Sequence, residues 1–148
     1  MAYDDIVNAA LAKAEKADGY VFGSPVHYAG ASGAMTSFLG RFFFAGGAEH
    51  AYKPGTAVVS CRRAGATAAL DQLDKYLGYG NMMRVGSQYW HMVHGNTPDE
   101  VRQDLEGMQT MRLLGRNMAW MLKCIEAGKA AGVQLPKQEI REKTNFIR

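Results

Sequence analysis

Apolar residues recur at helical spacing in several stretches of this chain, and short apolar runs separate those stretches. After Asp4 or Asp5, either a good helix N-cap, the apolar positions are Ile6, Val7, Ala10, Leu11 and Ala14, and Asp18-Gly19 closes the pattern. Tyr20-Val21-Phe22 follows without alternation, which predicts a strand covered on both faces. Met35, Phe38, Leu39, Phe42 and Phe43 stand at i, i+3, i+4, i+7 and i+8 and predict a second helix, ended by Gly46-Gly47. Thr56 to Ser60 predicts a second buried strand after the Pro54-Gly55 turn. Leu70, Leu73 and Leu77 mark a third helix, stopped by Gly78. Met82 to Val85 begins a third strand directed towards Tyr89 and Trp90. Thr97-Pro98-Asp99-Glu100 is a strong helix start, with a capping threonine and a proline in the first turn. The helix it opens is expected to reach about Gly128, with Val101, Leu105, Met108, Met111, Met118, Met121 and Ile125 as its apolar line, packed in the core or against a second subunit.

Helices alternating with strands predict an α/β fold: a parallel sheet with helices on both faces. Neither a repeat nor a linker interrupts the pattern, so residues 1–148 read as one domain. With 148 residues, 47% hydrophobic and 21% charged, the chain can bury a substantial core. A net charge of +3, with Lys and Arg scattered, suits anionic small molecules and gives no nucleic-acid footprint. Cys61 and Cys124 have no CxxC companion, which makes a reducing, cytoplasmic setting the default expectation. No apolar run approaches the roughly 18 residues of a membrane span.

In open α/β sheets, ligands bind beyond the carboxyl ends of the strands. Two strand-to-helix loops there carry unusual chemistry. In GSPVHYAGASG, Pro25 stiffens the turn, and His27 and Tyr28 offer flat faces with hydrogen-bonding tips. Ser32 and Gly33 can present backbone N–H groups at a helix start. In SCRRAGAT, Arg62 and Arg63 suit a phosphate or an electron-rich ring. A glycine- and serine-rich loop is often only a turn, and paired arginines are more often solvated than ligand-bound. His91 and His94 supply two metal-ligand types without a third. Neither a Ser-His-Asp order nor a carboxylate pair can be assembled.

GYVFGSPVHYAGASGAMTSFLGRFF, supported by AVVSCRRAGATAALDQL and by YWHMVHG with TPDEVRQD, resembles the flavodoxin-like NAD(P)H-dependent FMN reductases and the related multimeric flavodoxin and iron–sulfur flavoprotein types. The resemblance covers nearly the whole chain. It implies a flavodoxin-like three-layer α/β/α fold, with FMN as cofactor and NAD(P)H as hydride source. Electrons would pass to a quinone, flavin or similar small-molecule acceptor, with the flavin rather than a side chain carrying the chemistry. It also implies that Pro25, Val26, His27 and Tyr28 border the flavin ring, with Ser32 and Gly33 on the same rim and Arg62, Arg63, Ala64 and Gly65 on the other loop. A homodimer or higher oligomer is expected, with no nucleic-acid or membrane partner. In the family, a strand, a phosphate-wrapping loop, a helix and a second strand precede the first helix seen here. The chain is therefore expected to be N-terminally incomplete, holding strands equivalent to 3-4-5, with its Tyr20 strand as an open edge that favours self-association. The alternative is a non-catalytic flavodoxin-like dimerisation or interaction module without the phosphate loop. A binder of some other small anion, through Ser32, Gly33 and the arginine pair, is a third.

Overall fold

The computed structural model describes residues 5–140 and 142–146. Asp5 starts helix α1 (Ile6–Ala14) by accepting from Val7 N–H at 2.9 Å and Asn8 N–H at 3.3 Å. Strand β1 (Tyr20–His27) turns into a two-residue strand β2 (Gly30–Ala31), and Ser32 then caps α2 (Gly33–Gly46) through Met35 N–H. A 3₁₀ turn (Gly47–His50) leads to β3 (Pro54–Cys61), followed by α3 (Ala66–Tyr79). The third strand is split into β4 (Met83–Arg84) and β5 (Met92–His94), both parallel to β3. His91 holds the gap between them. Its carbonyl accepts from Val59 N–H, and its Nδ1 lies 3.0 Å from Thr56 Oγ1 and 3.1 Å from Ala57 O.

Several expectations need correction, among them Pro54-Gly55, which is not a turn but the paired start of β3. The stretch after Phe22 is strand, not loop: β1 pairs in parallel with β3 from Tyr20↔Gly55 to Pro25↔Ser60. An edge strand tolerates the proline, because an absent N–H there breaks no ladder on the open side. Nor is β1 covered on both faces. Tyr20, Phe22 and Ser24 are buried, whereas Val21, Gly23 and Pro25 are exposed, Val21 at 59%. Finally, the helix from Thr97 is two helices, α4 (Pro98–Gln103) and α5 (Leu105–Ala130). Asp104 leaves helical geometry (ψ 81°) and caps the second, so Leu105 is exposed rather than part of an apolar line.

The sheet order is β2-β1-β3-β4, with β5 also on β3. The main core lies under α1, α2 and α3, where Leu39, Phe42, Phe43, Leu73 and Leu77 meet Tyr20, Phe22, Ala57 and Val59. Helix α5 packs on the other face and buries Gly107, Thr110 and Leu114.

One polar ring sits in that core. His50 is stacked on Phe42 (4.6 Å between centroids, 20° between planes), and its Nε2 lies 3.2 Å from Phe42 O. Its Nδ1 has no partner among the described residues, which fits a neutral ring whose Nε2–H donates to that carbonyl. Burial pulls His50 below the ordinary histidine value, with Lys53 adding to this and the Phe42 carbonyl and Glu49 opposing. Burial likewise lowers His91 against the pull of the Ala57 carbonyl and Asp74. Each ring binds its proton less readily in the fold than in the unfolded chain, so this contribution to stability is full above the unfolded value of 6.5 and declines as pH falls below it. The lowered carboxylates Asp5 and Asp104 titrate below 3.8, outside that window. Urea midpoints are therefore expected to be lower at about pH 5 than at about pH 7.5, with a smaller difference after His50→Gln and His91→Gln together. Equal midpoints in the parent protein would contradict the argument.

Candidate functional site

Because β1, β3 and β5 run parallel, His27, Cys61 and His94 end at one edge of the sheet. There the chain forms a hairpin, with Val26↔Ala31 and His27↔Gly30 paired and Tyr28-Ala29 as the turn. Both turn residues have positive φ (50° and 60°), the mirror-image turn that matches strand twist and normally recruits Asn-Gly. Neither is glycine or asparagine, so the turn is strained and must be held from outside.

The support comes from the second loop. Gly65, at φ 81°, precedes α3, and a Cβ there would stand 2.7 Å from Ala29 Cα and 3.3 Å from Val26 Cγ1. The bare glycine thus lets the hairpin rest on the start of α3. Farther along α3, Gln72 Oε1 accepts from Ala31 N–H at 2.9 Å. The structure brings the two loops into a single crest.

The expected residues occupy this crest in different ways. Pro25 and His27 are exposed at the end of β1, Val26 is half-buried against Gly65, and the Tyr28 side chain is fully exposed at the tip. Arg62, Arg63 and Ala64 are exposed, and neither arginine enters an ion pair among the described residues. Ser32 is otherwise engaged: its N–H donates to Ser24 Oγ at 2.9 Å, and its hydroxyl caps α2. Gly33 is exposed, with open space where a Cβ would be.

Sequence reasoning missed Ala29, Gln72 and the pair His94–Asp104. Asp104 accepts from His94 N–H at 2.7 Å and Gly107 N–H at 2.9 Å, and its carboxylate lies 3.5 Å from His94 Nδ1. Burial works to raise the Asp104 pKa, but these donors and the imidazole outweigh it and hold the carboxyl below its usual range. The legible signal was an aspartate three residues before Gly107, a capping spacing inside an apparently continuous helix. Beside it, burial pushes the Cys61 thiol up, against a hydrogen bond from Arg63 N–H, so it is a poor nucleophile. Among the described residues, no group of three His, Cys, Asp or Glu could hold a metal ion, and no helix is long and apolar enough to cross a membrane.

Two clefts lie away from the crest. One of about 410 Å³ is lined by Tyr52, Lys53, Pro54, Ile125 and Leu135, at the opposite end of β3. An apolar groove of about 490 Å³ runs between α2 and α3, lined by Phe43, Phe44, Tyr76 and Tyr79.

Known proteins resemble this chain in sequence and in fold. An iron–sulfur flavoprotein of Methanocaldococcus jannaschii is 28% identical over 130 residues, covering 82% of this chain and 67% of that protein. A flavodoxin, WrbA-like protein from Agrobacterium tumefaciens superposes with a TM-score of 0.65 at 19% identity, over 78% of this chain and 73% of that one. An NADPH-quinone reductase from P. pentosaceus superposes with a TM-score of 0.51 at 15% identity, over 81% and 76% of the two chains. These structural likenesses establish a flavodoxin-like α/β fold. The profile of the NADPH-dependent FMN reductases matches residues 1–97. The chain belongs to the NADPH-dependent FMN reductase family, whose members are flavin-dependent oxidoreductases.

Proposed function

We propose that the crest receives the isoalloxazine ring of FMN, and that the chain oxidises NAD(P)H and passes the electrons to a quinone, flavin or similar small acceptor. The observation that carries this reading is the contact of Gly65 with Ala29, which joins a fully exposed tyrosine to a loop bearing two arginines that enter no ion pair among the described residues. Such a surface suits a planar, electron-rich ring with anionic character. Tyr28 supplies a face, and Arg62 and Arg63 supply planar cations and donors. Pro25 and Val26 would border the ring, with His27 as a polar neighbour. Ala64 and Gly65 would close the other side, and Gly33 leaves room for close approach at the start of α2. Ser32 contributes by shaping this rim, since its own groups are occupied. When bound, the flavin supplies the hydride and electron chemistry. The protein's task is to orient the ring and to offer hydrogen bonds along its edge.

A second reading is a non-catalytic dimerisation module. It draws on the exposed Val21 face and on the outer side of β1, where among the described residues only Val26 and His27 are paired. An edge of this kind favours pairing with another copy, so a homodimer or higher oligomer fits both readings.

Purifying the protein with added FMN, recording its visible spectrum and molar mass, and assaying NADH and NADPH oxidation separates the two. Retained flavin colour with nicotinamide oxidation is expected. A colourless dimer that oxidises neither cofactor would leave the second reading.

A further inference from the structure

We propose that Gln72 is a positioning residue for the flavin site, holding the hairpin that presents Tyr28; this rests on the FMN reading above. The hairpin cannot hold itself. It has two residue pairs, and both turn residues are non-glycine at positive φ. A two-stranded ribbon that short is not independently stable in water.

Val26 and Ala31 seat the base of the hairpin on the core, and three further contacts bear on its tip and exit. Ser24 Oγ accepts from Ser32 N–H at 2.9 Å, but the two are only eight residues apart and move with the same segment. Ala29 rests on Gly65, a contact that blocks inward movement without preventing the tip from lifting. Gln72 is different. It lies 41 residues from Ala31 in sequence and is fixed on the second turn of α3, and its Oε1 accepts from Ala31 N–H at 2.9 Å.

The approach depends on Gly30, where a Cβ would stand 3.3 Å from that same Oε1. The amide therefore resists lifting of β2, and β2 carries one side of the strained turn. Gln72 is itself exposed and outside the main core, so removing its side chain takes away the tether and little else.

The test uses the full chain with three readouts: amide exchange at Ala31, FMN dissociation by fluorescence titration, and thermal midpoint. In Gln72→Ala, exchange at Ala31 and the FMN Kd are each expected to rise roughly three- to tenfold, the range set by one modest hydrogen bond. The midpoint should fall by no more than about 5 °C, the loss of one modest hydrogen bond in a domain of this size, and recover in Gln72→Glu. Gln72→Glu, which retains an acceptor at that position, should restore both readouts to near the parent values. Unchanged exchange and unchanged Kd in Gln72→Ala overturn the proposal. So does a fall in midpoint that accompanies the Kd change and persists in Gln72→Glu, which would mark a merely structural role. If the parent protein binds no FMN, the ring reading falls, and with it the claim that Gln72 serves that ring. Faster Ala31 exchange in Gln72→Ala would then still report the tether by itself.

Discussion

Replacing Gly65 with alanine is expected to weaken FMN binding at least tenfold and to lower the unfolding free energy by about 2–4 kcal/mol. Two effects combine. At φ 81° the backbone lies in the left-handed region, which costs an alanine about 1–2 kcal/mol. The new Cβ would also stand 2.7 Å from Ala29 Cα and 2.9 Å from Ala29 Cβ, distances that real methyl groups do not adopt. Ala29 cannot yield by a rotamer change, because the close atoms are its backbone and its only side-chain carbon. The hairpin must lift from α3, and Tyr28 moves with it. Gly40→Ala is the control. It lies within α2 on an exposed face, and a Cβ there meets nothing within 4 Å, so the same substitution should raise stability by roughly 0.5–1 kcal/mol. Urea unfolding and an FMN titration of both variants check the pair. A Gly65→Ala protein with parent affinity would show that the loops act independently.

Leu39→Ala is the second large effect, with an expected loss of about 2–5 kcal/mol. Leu39 is 0% exposed and belongs to the cluster where α2 meets Phe22, Val59 and Leu73. Its neighbours Phe42 and Phe43 are locked by ring contacts to Phe22 and His50, so they cannot collapse into the vacated space. The cavity should persist, which places the loss towards the upper part of the range. Helix propensity does not contribute, since alanine is the better helix former. Leu105→Ala, at the exposed start of α5, should change stability by less than about 0.5 kcal/mol. Urea midpoints for the two, with unchanged m-values, give the comparison. A Leu39→Ala loss below that of Leu105→Ala would contradict the packing described.

Much of this fold was legible in the sequence because local rules and tertiary packing agree. The spacing of Met35, Phe38, Leu39, Phe42 and Phe43 is that of a helix lying on a sheet, and these residues are buried or half-buried in α2. Asp5 and Thr97 cap as their positions suggest, whereas Ser32, read as offering a free N–H, spends it on Ser24 and caps α2 with its hydroxyl. The misreadings fall where long-range pairing overrides local preference. Gly23 to His27 carries glycine, serine and proline, which read as loop, yet the six-residue register with β3 keeps it extended. The turn at Tyr28-Ala29 lacks its usual residues, and the contact with Gly65 that permits it lies 36 positions away. Asp104 breaks a helix without proline or glycine, because its carboxylate is drawn to His94 on a neighbouring strand. The residue types of the candidate site were visible from sequence, but the contacts through Ala29 and Gln72 that join its two loops were not.

Lys53 has a bearing on the order in which the chain assembles. Its Nζ donates to Ala14 O at 2.9 Å and to Glu15 O at 3.3 Å, and it sits 5.5 Å from the centre of the Tyr20 ring, whose hydroxyl also donates to Ala14 O. The last turn of α1 is thus completed by a residue nearly forty positions downstream, just before β3. Asp5 can nucleate the helix early, but its final carbonyls gain these partners only after the chain has crossed through α2 and β3 has docked beside β1. Closing that long loop precedes its reward. Helix α1 is therefore among the last of these elements to be locked in place.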